Sequence, residues 1–401
     1  MLELEDAIQR ILSRLPASAS ERIPLPQADG RYLAQGITAP LNLPGFNNSS
    51  MDGYAVRASD IAQAAKGSPV HLRVVGRVAA GQHTDLAIQS GEAMRVFTGS
   101  MVPAGADAVV MQEDSELDPA TPDLVSVCDS AKPWENVRFQ GEDVERGAEI
   151  ARKGEQLNAG RIALLAALGV SEVEAGRRPR VAVLATGSEL HPAGEPLPPG
   201  GIYESNRAAL ASLVARSGGI AEVMPIVPDD PHATRSALKR AFAANDLVIT
   251  CGGVSVGELD LVKSAFEELG GRQDFWKVAI KPGRPFVFGE IESRFLFGLP
   301  GNPVSAFVTF LLLVRPALLR WQGAIDISLE KIRARLAQPV SNGGDRRHFL
   351  RVQLTAHGEV HAPGLQASHA LSSLAEANAL LEVPPRTTVS AGTEVTVLRW
   401  D

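Results

Sequence analysis

The run Val181–Thr186, VAVLAT, has no charged residue, no proline and no alternation of polar with apolar positions. A strand that is apolar at consecutive positions needs cover on both faces, as in a parallel sheet flanked by helices. The residues that follow fit this reading. An amphipathic helix spans Asn206–Ser217 and stops at Gly218–Gly219, and AEVMPIV (221–227) is a second apolar strand. Pro231–Ala244 is a second helix, DLVITCGG (Asp246–Gly253) a third strand and Leu261–Leu269 a third helix. Such alternation predicts a doubly wound α/β domain with right-handed crossovers. FVFGEI and RFLFGLP predict paired strands, with Gly289–Arg294 between them. The apolar stretch Phe307–Val314, before Arg315 and Pro316, predicts a buried helix too short to cross a bilayer.

Outward from this domain the pattern changes. Leu2–Leu15 has apolar positions at helical spacing and ends at Pro16, and an irregular segment runs to Pro44. From Asp52 to Leu124 the chain reads as short strands with a turn between almost every pair: GYAVRA, HLRVVGRV, EAMRVFT and DAVVMQE. Strands continue to Val137–Phe139, and Glu149–Leu168 reads as helix. Beyond Trp321, KIRARLA, RHFLRVQLTA, GEVHAPG, ALLEVP and TEVTVLRW predict a small C-terminal β domain. The expected class is therefore multidomain, α/β and β, and 401 residues suit two to four domains.

Composition narrows the function classes. A formal charge of −7 argues against nucleic acid, and the densest basic run, RRPR at Arg177–Arg180, reads as a solvated linker. Cys128 and Cys251, the only cysteines, suit a reducing, cytoplasmic setting. The first residues show no apolar leader, and no membrane partner is expected.

In an open parallel sheet, ligands bind at the carboxyl ends of the strands. That rule selects four loops. After VAVLAT stand Thr186, Gly187, Ser188 and Glu189, which offer close backbone approach, two hydroxyls and a carboxylate; a capped turn is the competing reading. After AEVMPIV stand Asp229 and Asp230, the second placed to cap the helix at Pro231. After DLVITC stand Gly252, Gly253, Ser255, Gly257 and Asp260, an amide-rich loop suited to phosphate oxygens. The fourth group joins Lys277, Lys281, Gly283 and Arg284 to Pro300, Gly301, Pro303 and Ser305. Its cations, in an acidic chain, point to an anionic ligand. With no cysteine or histidine cage, a metal here would be hard and oxygen-ligated, which points to Mg2+. In the β-rich part three polar runs stand out, around Asn47–Tyr54, Phe97–Asp107 and Gly141–Asp143, each unremarkable alone.

Together the loops resemble one family. SSMDGYAV, FTGSMVPAGADAVV, GEDV, TGSEL, GGVSVGELD, KPGRP and GLPGNPVSA, in this order across nearly the whole chain, are similar to the MoeA family of molybdopterin molybdenumtransferases. TGSEL, GGVSVGELD and PGNP are shared with the single-domain, MogA-like adenylyltransferases. The resemblance implies four parts: a discontinuous N-terminal domain (1–44 with 145–177), an inserted β-rich domain (45–144), a MogA-like α/β domain (178–325) and a β-barrel-like C-terminal domain (326–401). It implies insertion of molybdate into adenylylated molybdopterin with release of AMP, dependent on Mg2+. Asp229, Asp260 and Glu189 would hold the metal, and Lys277, Lys281, Arg284 and Ser305 would position molybdate and the pterin phosphate. It also implies a homodimer whose cleft is completed by Asp52, Thr98 and Asp143 of the β-rich domain, with transient contact to the adenylyltransferase and to cofactor-receiving proteins. The alternatives are the adenylyltransferase activity itself and a non-catalytic scaffold.

Overall fold

A computed structural model describes residues 1–253 and 261–401. The chain forms two compact units, one of Met1–Gln35, Lys153–Asn158 and Glu172–Asp401, the other of Gly36–Arg152 and Ala159–Ser171.

In the first unit VAVLAT becomes β1 (Arg180–Ala185). With β2 (Ile220–Val223), β3 (Leu247–Cys251), β4 (Arg272–Trp276), β5 (Val287–Ile291) and β6 (Arg294–Leu299) it forms a six-stranded sheet in the order β2-β1-β3-β6-β5-β4. The first four strands in that order are mutually parallel. The expected strand pair β5–β6 is an antiparallel hairpin that adds β5 and β4 to the edge. Its turn residues, Glu292 and Ser293, both have positive φ, 49° and 64°. A two-residue connection demands this, because it matches the twist of the flanking strands.

The unbroken apolarity of β1 now has its cause. Val181, Val183 and Ala185 enter one core with Leu210 and Leu213 of α1 (Asn206–Arg216). Ala182 and Leu184 enter the other, with Leu238 and Ala241 of α2 (Pro231–Ala244) and Val262 and Phe266 of α3 (Leu261–Glu268). Successive strand residues point to opposite faces, so two buried faces require apolar residues throughout. Each fully buried Val or Leu contributes about 1.5–3 kcal/mol.

Three expectations change. The apolar helix is longer than Phe307–Val314: helical turns run without a break over Pro303–Trp321, 19 residues, through a π-helical turn at Phe310–Val314. It is long and apolar enough to cross a bilayer, but its apolar window is 83% buried in this fold. Pro316 reads as a helix end because it lacks an N–H; the widened turn before it absorbs the lost bond. Glu149–Ala151 is not helical but a short strand paired with Ile37–Thr38, and the helix is confined to Ala159–Ala167. Arg177 does not belong to a solvated linker. Its guanidinium donates to both carboxylate oxygens of Asp246 at 3.0 and 2.8 Å, and Arg178 donates to the carbonyls of Gly218 and Gly219.

The C-terminal strands Glu330–Leu336, Arg347–Leu354, Glu359–His361, Ala379–Val383 and Glu394–Arg399 close into a barrel around Leu336, Leu350, Val352, Leu381 and Val397. Ile280–Lys281 extends it by pairing in parallel with Arg347–His348. The N-terminal helix Leu4–Arg14 buries Leu4, Ala7 and Ile11 in the core that also holds Phe349 of the barrel, and Glu5 bonds Arg347.

The second unit holds a mixed six-stranded sheet in the order Ala108–Met111, Gly53–Val56, Glu92–Val96, Val70–Val78, Leu124–Val127, Ser115–Leu117. Tyr54, Val56, Leu72, Val110 and Val125 lie in its core.

Candidate active site

A cleft of about 660 Å³ opens where the parallel strands end. Four segments meet there: Thr186, Gly187 and Glu189 after β1, Asp229 after β2, Cys251, Gly252 and Gly253 at the end of β3, and Gly301, Asn302 and Pro303 after β6. Register brings them together, since Ala185 is paired with Cys251 and Cys251 with Leu299. Ser188 braces the first two segments: its amide donates to Asp229 Oδ2 at 3.0 Å, and its Oγ accepts from the Asp229 amide at 3.0 Å. Asp230 caps α2, its Oδ1 accepting from the Ala233 amide at 2.7 Å, so Asp229 is the carboxylate of the pair that lines the cleft.

Glycine is required at Gly252, where φ is +86° and an added Cβ would lie 2.7 Å from the Thr186 carbonyl oxygen. The two loops can meet this closely only without a side chain. The hydroxyl of Thr186 is buried and has no hydrogen-bond partner among the described residues. Burial first, and then the nearby Glu204, push the Cys251 thiol upward and favour its protonated form.

Sequence reasoning missed one wall. After Leu190 the chain leaves the cleft and returns as Ile202–Tyr203, paired in parallel with Leu190–His191. Ile202, Tyr203, Glu204, Ser205 and Asn206 then line the cleft. The Glu204 carboxylate is buried and accepts from the Arg207 amide at 2.9 Å and from Arg207 Nε at 2.8 Å. Asn206 Nδ2 donates to the Gly301 carbonyl at 2.8 Å, tying the start of α1 to the loop after β6. The polar string ESNR at a helix start was a visible signal for this. The C-terminal domain adds His369 and Leu371, for which the sequence held no signal.

The cationic group is placed differently. Lys277, Lys281, Arg284 and Ser305 are not among the residues lining this cleft. Lys277 has φ +78°, and its Nζ lies 3.7 Å from the centre of the Trp276 ring. Lys281 is exposed on the strand that joins the barrel, and Arg284 is exposed on the same loop. That loop presses on the helix carrying Ser305: a Cβ at Gly283 would lie 2.3 Å from Thr309 Cγ2 and 3.7 Å from the Ser305 carbonyl oxygen. Ser305 itself is buried. His348, next to Lys281 in register, is buried, and neither ring nitrogen has a partner among the described residues. Burial first, then the charges of Lys281, Arg351 and Arg346, lower its pKa to about 4. Arg351 is fully buried and donates to Ser373 Oγ and the Leu365 carbonyl.

Pro300 is buried immediately before Gly301. Ser255, Gly257 and Asp260 lie outside the described residues. In the second unit, Asp52 Oδ1 accepts from both the amide and the hydroxyl of Thr98 at 2.8 Å, and these bonds hold its carboxyl below the usual value. Asp143 is exposed, its amide donating to the Leu43 carbonyl at 3.1 Å.

Comparison with known proteins agrees with this architecture. The chain is 38% identical to the molybdopterin molybdenumtransferase of Haemophilus influenzae over 99% of its own length and 98% of the relative's. It belongs to the MoeA family. Residues 2–169 match the MoeA N-terminal region (domain I and II), 182–320 a probable molybdopterin binding domain, and 333–400 the MoeA C-terminal region (domain IV). Molybdopterin molybdenumtransferase 2 of Mycobacterium tuberculosis is 39% identical over 94% of both chains. The crystal structure of a molybdopterin biosynthesis MoeA protein from Pyrococcus horikoshii OT3 superposes with a TM-score of 0.84 at 32% identity, covering 100% of both chains. As a MoeA protein, the chain is a multidomain α/β and β enzyme of molybdenum cofactor biosynthesis.

Proposed function

We propose that this MoeA chain inserts molybdate into adenylylated molybdopterin and releases AMP, giving molybdenum cofactor, in the cytoplasm. The observation that carries the reading is the cleft at the parallel-strand ends, lined by Glu189 and Asp229, by Glu204 in its pair with Arg207 and by a glycine-walled floor, in a chain related over its full length to molybdopterin molybdenumtransferases. A cleft of about 660 Å³ suits a ligand with two ring systems joined by a pyrophosphate.

The residues fit Mg2+. Among the described residues no three His, Cys, Asp or Glu side chains cluster, but Glu189 and Asp229 face one cleft. Mg2+ commonly takes one or two carboxylates together with substrate phosphates. Glu189 and Asp229, with Asp260 from outside the described residues, would hold it. Bound there, it would polarise the phosphorus under attack and relieve charge on the departing AMP phosphate. The bonds from Ser188 orient the Asp229 carboxylate, and Gly252 and Gly301, having no side chains, leave room for a ligand against the loops. Lys281, Arg284 and Ser305, in the cationic surroundings of Arg346 and Arg351, would position the molybdate oxyanion, with Lys277 serving the pterin phosphate. A second copy of the chain would complete the cleft with Asp52, Thr98 and Asp143.

The test supplies purified protein with adenylylated molybdopterin and Mg2+. AMP release that rises with added molybdate is expected. Release indifferent to molybdate would overturn this reading, and formation of the adenylylated pterin from ATP and molybdopterin, with release of pyrophosphate, would replace it with the adenylyltransferase one.

A further inference from the structure

Tyr203 is 48% exposed, yet its ring is held at both ends. The backbone on either side is fixed, with the Ile202 amide donating to the Glu189 carbonyl at 2.8 Å and the Glu204 amide to the His191 carbonyl at 2.9 Å. At the far end the hydroxyl donates to the Glu195 carbonyl at 2.8 Å. The next residue, Glu204, is locked by its buried pair with Arg207. Neighbouring Ile202 is 53% exposed, so an apolar surface continues beside the ring. No ring pair or cation–π contact among the described residues includes Tyr203. It is the one Phe, Tyr or Trp among the described residues lining the cleft.

A rigid aromatic side chain with a free face in a ligand cleft loses little entropy when a flat partner covers it. Tying a loop needs only the hydroxyl, and the exposed ring and the exposed Ile202 beside it are left unexplained by that role. We propose that Tyr203 is a specificity-determining residue of the cleft, stacking on a flat nitrogen heterocycle of the substrate, adenine or pterin, with Ile202 extending the platform. The inference rests on the substrate assigned above, which carries both rings.

The test follows binding of adenylylated molybdopterin to the full-length protein by isothermal titration calorimetry, without molybdate, for wild type, Tyr203→Ala and Tyr203→Phe. Stacking on an aromatic side chain is worth a factor of roughly five or more in affinity. Tyr203→Ala is therefore expected to weaken binding by about five- to tenfold, and Tyr203→Phe, which keeps the ring, to bind like wild type. AMP competition separates the two rings. If AMP loses affinity for Tyr203→Ala by the same factor, adenine is the stacked ring; if AMP competes unchanged while the whole ligand weakens, it is the pterin. Unchanged binding of the whole ligand by Tyr203→Ala overturns the inference and leaves the proposed reaction standing. Failure of wild type to bind the ligand overturns both. An unchanged thermal midpoint for Tyr203→Ala ties the loss to the ligand rather than to folding.

Discussion

The glycine-rich strand ends around Gly252 and the cationic loop Lys277–Pro285 carry complementary chemistry, and different neighbours hold them in place. The strand ends are set by parallel register: once β1, β3 and β6 pair, Thr186, Gly252 and Gly301 must converge. The cationic loop leaves the antiparallel edge of the same sheet. It is set by the barrel through Ile280–Lys281 and by the helix carrying Ser305 and Thr309. The first region offers carboxylates and open backbone. The second offers positive charge beside His348 and Arg351, where charge is costly to bury. One region is thus positioned by a rule of sheet topology and the other by a contact between domains.

The largest expected effect is at the strand ends. Gly252→Val would force a side chain against the Thr186 carbonyl at a positive φ, costing about 3–4 kcal/mol in a denaturant titration. A cost below about 1 kcal/mol would mean that the two loops are not locked together.

His348 probes the other region by pH. Its folded pKa of about 4 lies below its ordinary 6.5, so the unfolded chain binds a proton that the folded chain refuses. Its contribution to stability is full above pH 6.5 and declines as pH falls toward about 4, by about 3 kcal/mol. Urea titrations from pH 7 to 4 should show that slope, and His348→Phe should flatten it. Glu5 has the same sign at lower pH: Arg347 holds its carboxyl below the usual value, so that contact is lost on acidification.

Next in size, Asp229→Ala is expected to slow molybdate-stimulated AMP release about a hundredfold, or about 2.7 kcal/mol, and to raise the Mg2+ requirement. Lys281→Ala should instead raise the KM for molybdate with an unchanged Mg2+ requirement. Identical Mg2+ profiles for the two variants would merge the regions into one function. The smallest effect is at the β5–β6 turn. Replacing Glu292–Ser293 by Asn-Gly, residues at ease with positive φ, should raise stability by about 0.5–1 kcal/mol with activity unchanged.

Much of the fold was legible in residue patterns. Pro231–Ala244 is a helix with the bounds its proline start and apolar spacing suggest, and the five strands of the C-terminal barrel fall on the runs that predicted them. Each error had a specific cause. Pro316 signals a helix end but sits inside a continuous helix whose π-helical turn accommodates it. Glu149–Ala151 has helical company in sequence but finds a strand partner in Ile37–Thr38, over a hundred residues away on the order of chain separation that short-range patterns do not reach.

The sequence by itself determined that an α/β sheet would have a ligand site at its strand ends, because apolar runs demand two covered faces and the topology then fixes where backbone amides lie free. Tertiary structure alone decided which side chains join them. Tyr203 and Glu204 reach the cleft through a returning strand, Asn206 bonds Gly301 at a separation of 95 residues, and His369 arrives from another domain. Lys281, which does not line the cleft, likewise takes its seat from a distant partner, the barrel strand at Arg347–His348. Local spacing encodes periodicity and turn chemistry. It carries no record of which distant surfaces will be buried together, and that burial is what brings these residues to one place.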